Sequence, residues 1–243
     1  MTSTDDNRRK RFYQSATVSE PAGEPPVFRV LLDGRGVRTP AKRELAVASR
    51  QLADGLAAEW EAQGVHIDPL SMPLTRLVNS ALDGVTGREA VVRASILAYA
   101  GSDLLCYLAV EPIELVALQS KRWGIIHAWA KEAHGIELAL AVGVMPVAQD
   151  PAMLAKLDAA LGKAGPLGLA GLHVMTALTG SLLLAFAVMV GQITAEEAWS
   201  LAHIDEDFQI GRWGPDDAAA TRRQQRWLEM SAAARVVAWA RDF

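Results

Sequence analysis

Apolar and polar positions alternate in short runs near the start of the chain. Phe28, Val30 and Leu32 follow this alternation and lead into Asp33-Gly34, a dipeptide typical of tight hairpin turns. The stretches RFYQSATVSE, before this segment, and ELAVAS, after it, have the composition of further short strands. The pattern predicts a small antiparallel sheet.

The period of the apolar positions becomes helical after Ser49. Leu52, Leu56 and Trp60 recur every four residues, as on one face of a helix. A second apolar stripe follows in MPLTRLVNSAL, where Pro73 suits the first turn of a helix. With DGVTG at residues 83–87 as a hinge, we predict a small β-rich N-terminal domain with helices over residues 1–86.

Helical periods dominate the rest of the sequence. REAVVRASILAYA, ELVALQSKRWGIIHAWAKEAHG and DPAMLAKLDAALG each predict a helix, and Thr194 with Glu197 forms a capping box for the helix that carries residues 203–217. We therefore predict a larger, all-helical domain over residues 87–243. The predicted fold class is α+β.

Residues 164–195 contain no charged side chain, a run longer than the ~20 apolar residues that a membrane span needs. Gly165, Pro166, Gly168 and Gly171 interrupt its first part, and no basic cluster flanks either side. We interpret residues 174–190 as one buried helix of a globular domain, without stable membrane insertion. A membrane-associated protein that inserts residues 171–191 is the alternative.

Composition and charge indicate the cellular compartment of the protein and exclude some classes of partner. The chain is 51% apolar with a formal net charge of -4, so it lacks the basic surface of a nucleic-acid-binding protein. Its single cysteine, Cys106, excludes an internal disulfide framework and a cysteine-based zinc site. The opening residues MTSTDDNRRKRFYQ resemble neither a signal peptide nor a mitochondrial presequence, which favours the cytoplasm.

Motifs of known catalytic sites are missing from the sequence. GPLGLAGLH is rich in glycine, but no Lys-Ser or Lys-Thr follows it, and there is no Gly-x-Ser-x-Gly. His127 and His134 lie seven residues apart on one predicted helix, about 10.5 Å along its axis, which is too far for one metal ion. We expect no catalytic residue, no metal and no cofactor.

The stretch HIDEDFQIGRWGPDD at residues 203–217 concentrates acidic and aromatic side chains. On a helix His203 and Asp207 could face one ion, but two ligands do not make a metal site. Phe208 and Trp213 alternate with Gln209 and Arg212, a mixture typical of interface hot spots. A binding surface and a helix-end packing motif are equally compatible with this composition. A small-molecule or metal-dependent enzyme with a pocket between the two domains is the further alternative.

Several motifs along the chain resemble those of one protein family. In order they are RFY, LLDGRGVRTPAKREL, LAAEWEAQG, MPLTRLVNSALD, SDLLCYLA, GSLLLAFAV and DEDFQIGRWGPDD. Together they are similar to the chaperones of F(1)-ATPase assembly, called ATP synthase F(1) assembly factor 2 in mitochondria, and the similarity spans about residues 11–223. The resemblance implies an α+β domain followed by a helical domain, and no enzymatic activity. It also implies that the chain binds the unassembled alpha subunit, preventing its aggregation until the beta subunit replaces it.

The resemblance also assigns roles to individual residues. An acidic position in the family pattern is important for function, and it falls on Asp205 or Glu206. The implied partner-binding residues are Asp205, Glu206, Phe208, Gln209 and Trp213, to which the composition of the stretch adds Arg212. The implied structural residues are Glu59, Trp60 and Gly214. One departure is Gly124-Ile125, which follows Trp123 where many relatives have Asp-Pro. The opening residues favour a bacterial member acting in the cytoplasm, whereas its relatives act in the mitochondrial matrix.

Overall fold

The computed structural model describes residues 8–143 and 145–240. Its N-terminal section contains a small antiparallel sheet, as predicted. The strands are β1 (Ala16–Val18), β2 (Phe28–Leu32), β3 (Arg35–Gly36) and β4 (Ala46–Val47). The central strand β2 pairs with the other three. Asp33 and Gly34 join β2 to β3 with φ angles of 47° and 78°, the positive values that a type I′ hairpin turn requires.

The two helices predicted in this section are present. They are α1 (Arg50–Glu61) and α2 (Pro73–Ser80). The Ser49 hydroxyl accepts a hydrogen bond from the Leu52 backbone N–H at 3.3 Å and caps α1. Leu52 and Leu56 are fully buried in the core that α1 shares with the sheet. A π-helical turn over Ala81–Val85 then continues from the end of α2.

Helices make up most of the section beyond residue 86. They are α3 (Glu89–Ala98), α4 (Ile113–His134), α5 (Pro151–Leu161), α6 (Pro166–Thr179), α7 (Leu182–Met189), α8 (Ala195–Ala202), α9 (Ile204–Trp213) and α10 (Asp217–Ala240). The section also holds a short parallel pair, β5 (Tyr107–Leu108) with β6 (Ala141–Val142). The sequence pattern does not predict this pair, because strands of two residues have no measurable period.

The uncharged run forms two helices rather than the single helix that the sequence predicted. Gly180 adopts a left-handed conformation with φ 69° and ends α6. The Ser181 hydroxyl then accepts from the Leu184 N–H at 3.1 Å and starts α7. Gly168 and Gly171 lie inside α6 and do not interrupt it. Across the described ranges, no helix is long and apolar enough to cross a membrane.

A buried carboxylate from a distant segment also stabilises the break between α6 and α7. Asp103 is fully buried, and its Oδ2 accepts from the Leu183 N–H at 3.0 Å, in the first turn of α7. Its Oδ1 accepts from the Leu105 N–H at 3.0 Å. The motifs SDLLCYLA and GSLLLAFAV, which are 80 residues apart at this bond, therefore meet at one point. Burial raises the pKa of Asp103.

Buried side chains from both sections form a continuous hydrophobic cluster within the described part of the chain. The last helix, α10, packs along α6 and also contacts α1 and α2. Gly55 of α1 allows the close approach of α10, since a Cβ there would lie 2.8 Å from the Trp239 ring. The division of the chain near residue 86 into two domains stays a prediction.

Candidate functional site

The acidic stretch folds as a helix of its own. The predicted capping box is present, because Thr194 Oγ1 accepts from the Glu197 N–H at 3.1 Å and Glu197 Oε2 accepts from the Thr194 N–H at 2.8 Å. The helix that this box starts, α8, ends at Ala202, however. Residues 204–213 form the separate helix α9, which places its three consecutive acids in its first turn, where the helix dipole favours negative charge.

The first acid of α9 points into the protein. Asp205 Oδ1 accepts a hydrogen bond from Gln119 Nε2 of α4 at 2.6 Å. Gln119 is itself buried, and its Oε1 accepts from the Ala109 N–H at 2.8 Å. Asp205 thereby links α9 to α4 and to the segment after β5. Its carboxylate is part of the scaffold of the site.

The third acid of α9 is held by the last helix. Asp207 forms an ion pair with Arg223 of α10, and its Oδ2 accepts from Arg223 Nη2 at 3.2 Å. This hydrogen bond with the carboxylate raises the pKa of Arg223. The pair joins α9 to α10 across the surface, and so Asp207 also has a partner within the chain.

The second acid, Glu206, has weaker ties to the protein. Its Oε2 lies 3.9 Å from Nε2 of His203, and its side chain remains 39% exposed. His203 is buried, and its Nδ1 lies 2.7 Å from the Trp199 carbonyl oxygen. Burial lowers the pKa of His203, so the imidazole is neutral at pH 7 and offers Glu206 no full countercharge.

Metal ligation is not supported at this site. His203 and Asp207 have the partners just described, in Trp199 and Arg223. Throughout residues 8–143 and 145–240, no group of three or more histidine, cysteine, aspartate or glutamate side chains could hold a metal ion.

The side of α9 that faces α4 combines an aromatic ring with a guanidinium. Phe208 is half-buried against the core, and the Arg212 guanidinium carbon lies 4.5 Å from the centre of its ring. Arg212 Nη2 also lies 3.3 Å from Glu114 Oε2 in the first turn of α4. Both side chains are accessible from solvent, but each is oriented by contacts within the protein.

The outer face of α9 consists of Glu206, Gln209 and Trp213. These positions are three and seven residues apart along the helix, so their side chains project on the same side. Gln209 is exposed, and Trp213 is 84% exposed. A tryptophan this open to water, on a well-formed helix, removes almost none of its apolar surface from solvent within the chain.

Gly214 ends α9 with a backbone that favours glycine. Its φ is 87°, and its N–H donates to the Ile210 carbonyl at 2.9 Å. Pro215 follows, and α10 begins two residues later. These contacts support the structural role expected for Gly214.

The other expected structural residues, Glu59 and Trp60, lie at the end of α1. Glu59 accepts hydrogen bonds at 2.8 Å from the backbone N–H groups of Leu74 and Thr75, and thus caps the first turn of α2. Burial raises the pKa of Glu59. Trp60 is half-buried and packs edge-on against Tyr13, with ring centres 5.8 Å apart. Gln63, from the same motif, is buried and bonded to the loop before α2.

Replacing Glu59 with glutamine tests its capping role. An amide has one acceptor oxygen, so either the Leu74 or the Thr75 N–H loses its partner. We expect Glu59→Gln to lower the free energy of unfolding by about 1–2 kcal/mol, as for the loss of other helix caps. Urea denaturation at neutral pH measures this change. A midpoint equal to that of the wild type would contradict the assignment.

Two side chains that fix the site, Gln119 and Arg223, were not expected from the sequence. They lie 86 and 16 residues from the acids that they hold. Nothing local distinguishes Gln119 from other polar residues of a long helix. Arg223 could be suspected only because it lies in the polar run of residues 221–226, which follows an acidic stretch.

In this fold the acidic helix α9 is fixed to its scaffold on two sides, by Gln119 and Arg223, and is open to solvent on the third. The chain belongs to the ATP12 chaperone family. The family model, described as ATP12 chaperone protein, matches residues 10–131.

Solved structures and a curated relative agree with this assignment. The Atu1473 protein of Agrobacterium tumefaciens is 44% identical with a TM-score of 0.90, over 95% of this chain and 85% of that one. Atp12 of Paracoccus denitrificans is 39% identical with a TM-score of 0.88, over 96% of this chain and 99% of that one. The mitochondrial protein atp12 of Schizosaccharomyces pombe is 20% identical over 217 residues, which are 84% of this chain and 74% of the relative.

These findings confirm the family that the motifs indicated and the α+β fold that it implied. The family and the structural neighbours are assembly chaperones, and the chain is accordingly an ATP synthase assembly chaperone. The alternative of a small-molecule or metal-dependent enzyme is therefore wrong.

Proposed function

We propose that this chain binds the unassembled alpha subunit of F(1)-ATPase and prevents its aggregation until the beta subunit replaces it. The binding surface includes the outer face of α9, with Phe208 and Arg212 beside it. A bacterial member of the family would act in this way in the cytoplasm. Family membership supports the general role, and the geometry of α9 supports this location of the surface.

The exposure of Trp213 is the observation that supports a binding surface on the outer face of α9. Tryptophan and arginine are over-represented among residues that dominate binding energy, and they act in pockets from which a partner excludes water. Trp213 is 84% exposed, and Arg212 beside it is oriented by Glu114. A client that covered this ring would gain apolar burial at little conformational cost, because α9 is already ordered.

The geometry favours Glu206 over Asp205 as the acid that contacts the client. Asp205 is directed inward onto Gln119, whereas Glu206 projects from the same face as Trp213. A carboxylate beside an exposed ring can pair with a basic group on the client and steer its approach, an effect that weakens with salt. Replacing Asp205 would instead disturb the attachment of α9 to α4.

The variant Glu206→Lys tests this assignment. We expect capture of newly synthesised alpha subunit to fall at least about tenfold at low salt, because the reversed charge would repel a basic patch. Stability should change by less than about 0.5 kcal/mol, since the side chain is partly exposed. The measurement is a pull-down at low and moderate salt, with thermal denaturation of the same variant.

A matched control and a second variant make the result specific. Glu132→Lys reverses an exposed acid in the last turns of α4 and should leave capture unchanged. Trp213→Ala should reduce capture as strongly as Glu206→Lys and leave the melting temperature unchanged, because its ring is not part of the core. If both α9 variants captured the alpha subunit like the wild type, the binding surface would lie elsewhere. If the wild type captured none at either salt, the proposed client would be wrong.

A further inference from the structure

A broad groove crosses the N-terminal section, away from the residues assigned to α9. It has a volume of about 1000 Å³ and lies between the segment before β1, the β2–β3 hairpin and the end of α1. Four arginines line it: Arg8, Arg9, Arg35 and Arg38. The whole protein carries a net charge of -4, so this concentration of positive charge is local.

Contacts among the described residues neutralise the positive charge of the groove only in part. Arg8 pairs with Asp68 at 3.3 Å, and Arg38 Nη1 donates to the Lys42 carbonyl at 2.8 Å. The Arg35 side chain makes no hydrogen bond or ion pair with any described residue. One acid, Asp33, also lines the groove.

That single acid is already engaged by the backbone. The Asp33 carboxylate accepts hydrogen bonds from the N–H groups of Gln14 and Ser15, at 3.0 Å each, and these bonds lower its pKa. It is therefore bound to the segment before β1 and forms no ion pair with the described arginines of the groove. Arg9, Arg35 and Arg38 remain the groups in the groove that can meet an incoming anion.

Aromatic side chains add an apolar wall to this charged groove. Phe12 is 55% exposed, and the Arg9 guanidinium carbon lies 4.3 Å from the centre of its ring. Tyr13 and Trp60 contribute to the lining behind it. Guanidinium groups bind carboxylates through paired, charge-assisted hydrogen bonds, and the exposed ring can cover an apolar side chain. A ligand that matches both features carries spaced carboxylates and some apolar surface.

We propose that this groove binds an acidic polypeptide segment of a partner protein. The four arginines supply the charge complementarity, and the volume accommodates several residues of a chain. A nucleic acid fits less well, because its phosphate charges continue beyond the groove and meet a protein of net negative charge, whereas a short acidic segment places its carboxylates within the groove. The proposal concerns a surface separate from the outer face of α9 and stands whether or not α9 contacts the alpha subunit.

Fluorescence anisotropy with a labelled ten-residue peptide of alternating glutamate and leucine tests the proposal. The wild type should bind it at low salt and release it as salt increases. Arg35→Glu should weaken binding about tenfold, and Arg35→Glu with Arg38→Glu should weaken it further, because each change replaces attraction by repulsion. Arg35 is exposed, and its side chain has no hydrogen bond or ion pair with a described residue, so Arg35→Glu should melt like the wild type.

Controls separate the groove from general charge effects. Lys163→Glu changes the net charge by the same amount on an exposed loop outside the groove, and peptide binding should not change. Trp213→Ala should also bind the peptide normally, which separates this result from the proposed function of α9. If Lys163→Glu weakened peptide binding as much as Arg35→Glu, the effect would come from net charge alone, and the proposal would be overturned.

Binding of either of two other ligands in the groove would also overturn the proposal. A labelled single-stranded oligonucleotide that binds more tightly than the peptide, and loses binding in Arg35→Glu, would make the groove a nucleic-acid site. Self-association of the wild type that Arg35→Glu abolishes, measured by analytical ultracentrifugation, would assign the groove to a second copy of the chain. Absence of peptide binding at low salt would reject the proposal outright.

Discussion

Replacing Asp103 with alanine should lower the free energy of unfolding by about 3–5 kcal/mol, since each buried donor left without an acceptor costs about 1–3 kcal/mol. The side chain is fully buried, and its two oxygens accept from the N–H groups of Leu105 and Leu183 at 3.0 Å each. Alanine would leave both donors buried without an acceptor, and it would open the space that the carboxyl fills. Urea denaturation followed by circular dichroism measures the change.

The pH dependence of the same site provides an independent test. Burial raises the pKa of folded Asp103 above the 3.8 of an unperturbed carboxyl. As pH rises, the unfolded chain loses this proton first. The stability that protonated Asp103 contributes is thus fully present below about pH 4 and is lost as pH rises through the folded pKa. Asp103→Asn cannot titrate, so the advantage of the wild type over this variant should shrink with rising pH.

An exposed aspartate is the control for Asp103. Asp54 pairs with Arg50 one helical turn earlier on α1, at 2.9 Å, and both side chains are more than half exposed. Surface pairs of this kind contribute about 0.3–0.5 kcal/mol, so Asp54→Ala should have little effect. If the two alanine variants had similar midpoints, the hydrogen bonds of Asp103 would not be what holds α7 to the preceding segment.

Features decided by neighbouring residues were predictable from the sequence. The Asp33-Gly34 turn depends on two adjacent residues that tolerate positive φ, and the capping box depends on Thr194 and Glu197, three residues apart. In the capping box each side chain meets a backbone group three residues away, and in the turn the two residues themselves set the backbone angles. The residue types then determine the local geometry directly, with no knowledge of the rest of the fold.

Features that depend on distant partners were not predictable in the same way. The break at Gly180 and Ser181 falls inside a run where nearly every residue is apolar, so hydropathy cannot distinguish one helix from two. Its cap from Asp103 comes from 80 residues earlier. The spacing within 203–217 could place Glu206 and Trp213 on one helix face. It could not show that this face points outward. That orientation is fixed by Gln119 and Arg223, which bond to Asp205 and Asp207 from other helices.

A second large effect is expected at Gly171, where α6 packs tightly against α10. A Cβ at this position would lie 2.5 Å from Val237 Cγ2 and 3.0 Å from the Ala233 carbonyl oxygen of α10. The side chain of Val237 is fully packed, and the carbonyl belongs to a helix backbone, so neither can move without shifting α10. We expect Gly171→Ala to lower the free energy of unfolding by about 1–3 kcal/mol, the usual cost of overpacking.

Gly124→Ala is the matched control, because it makes the same change inside the helix α4 with no heavy atom within 4 Å of the new Cβ. Alanine favours a helix over glycine, and this variant should gain about 0.5–1 kcal/mol. The two substitutions are chemically identical, and opposite signs in urea denaturation can therefore come only from the surroundings of each Cβ. If Gly171→Ala were also stabilising, α10 would be able to move away from α6 at little cost. The contacts of α10 with α1, α2, α7 and α8 would then hold the last helix in place.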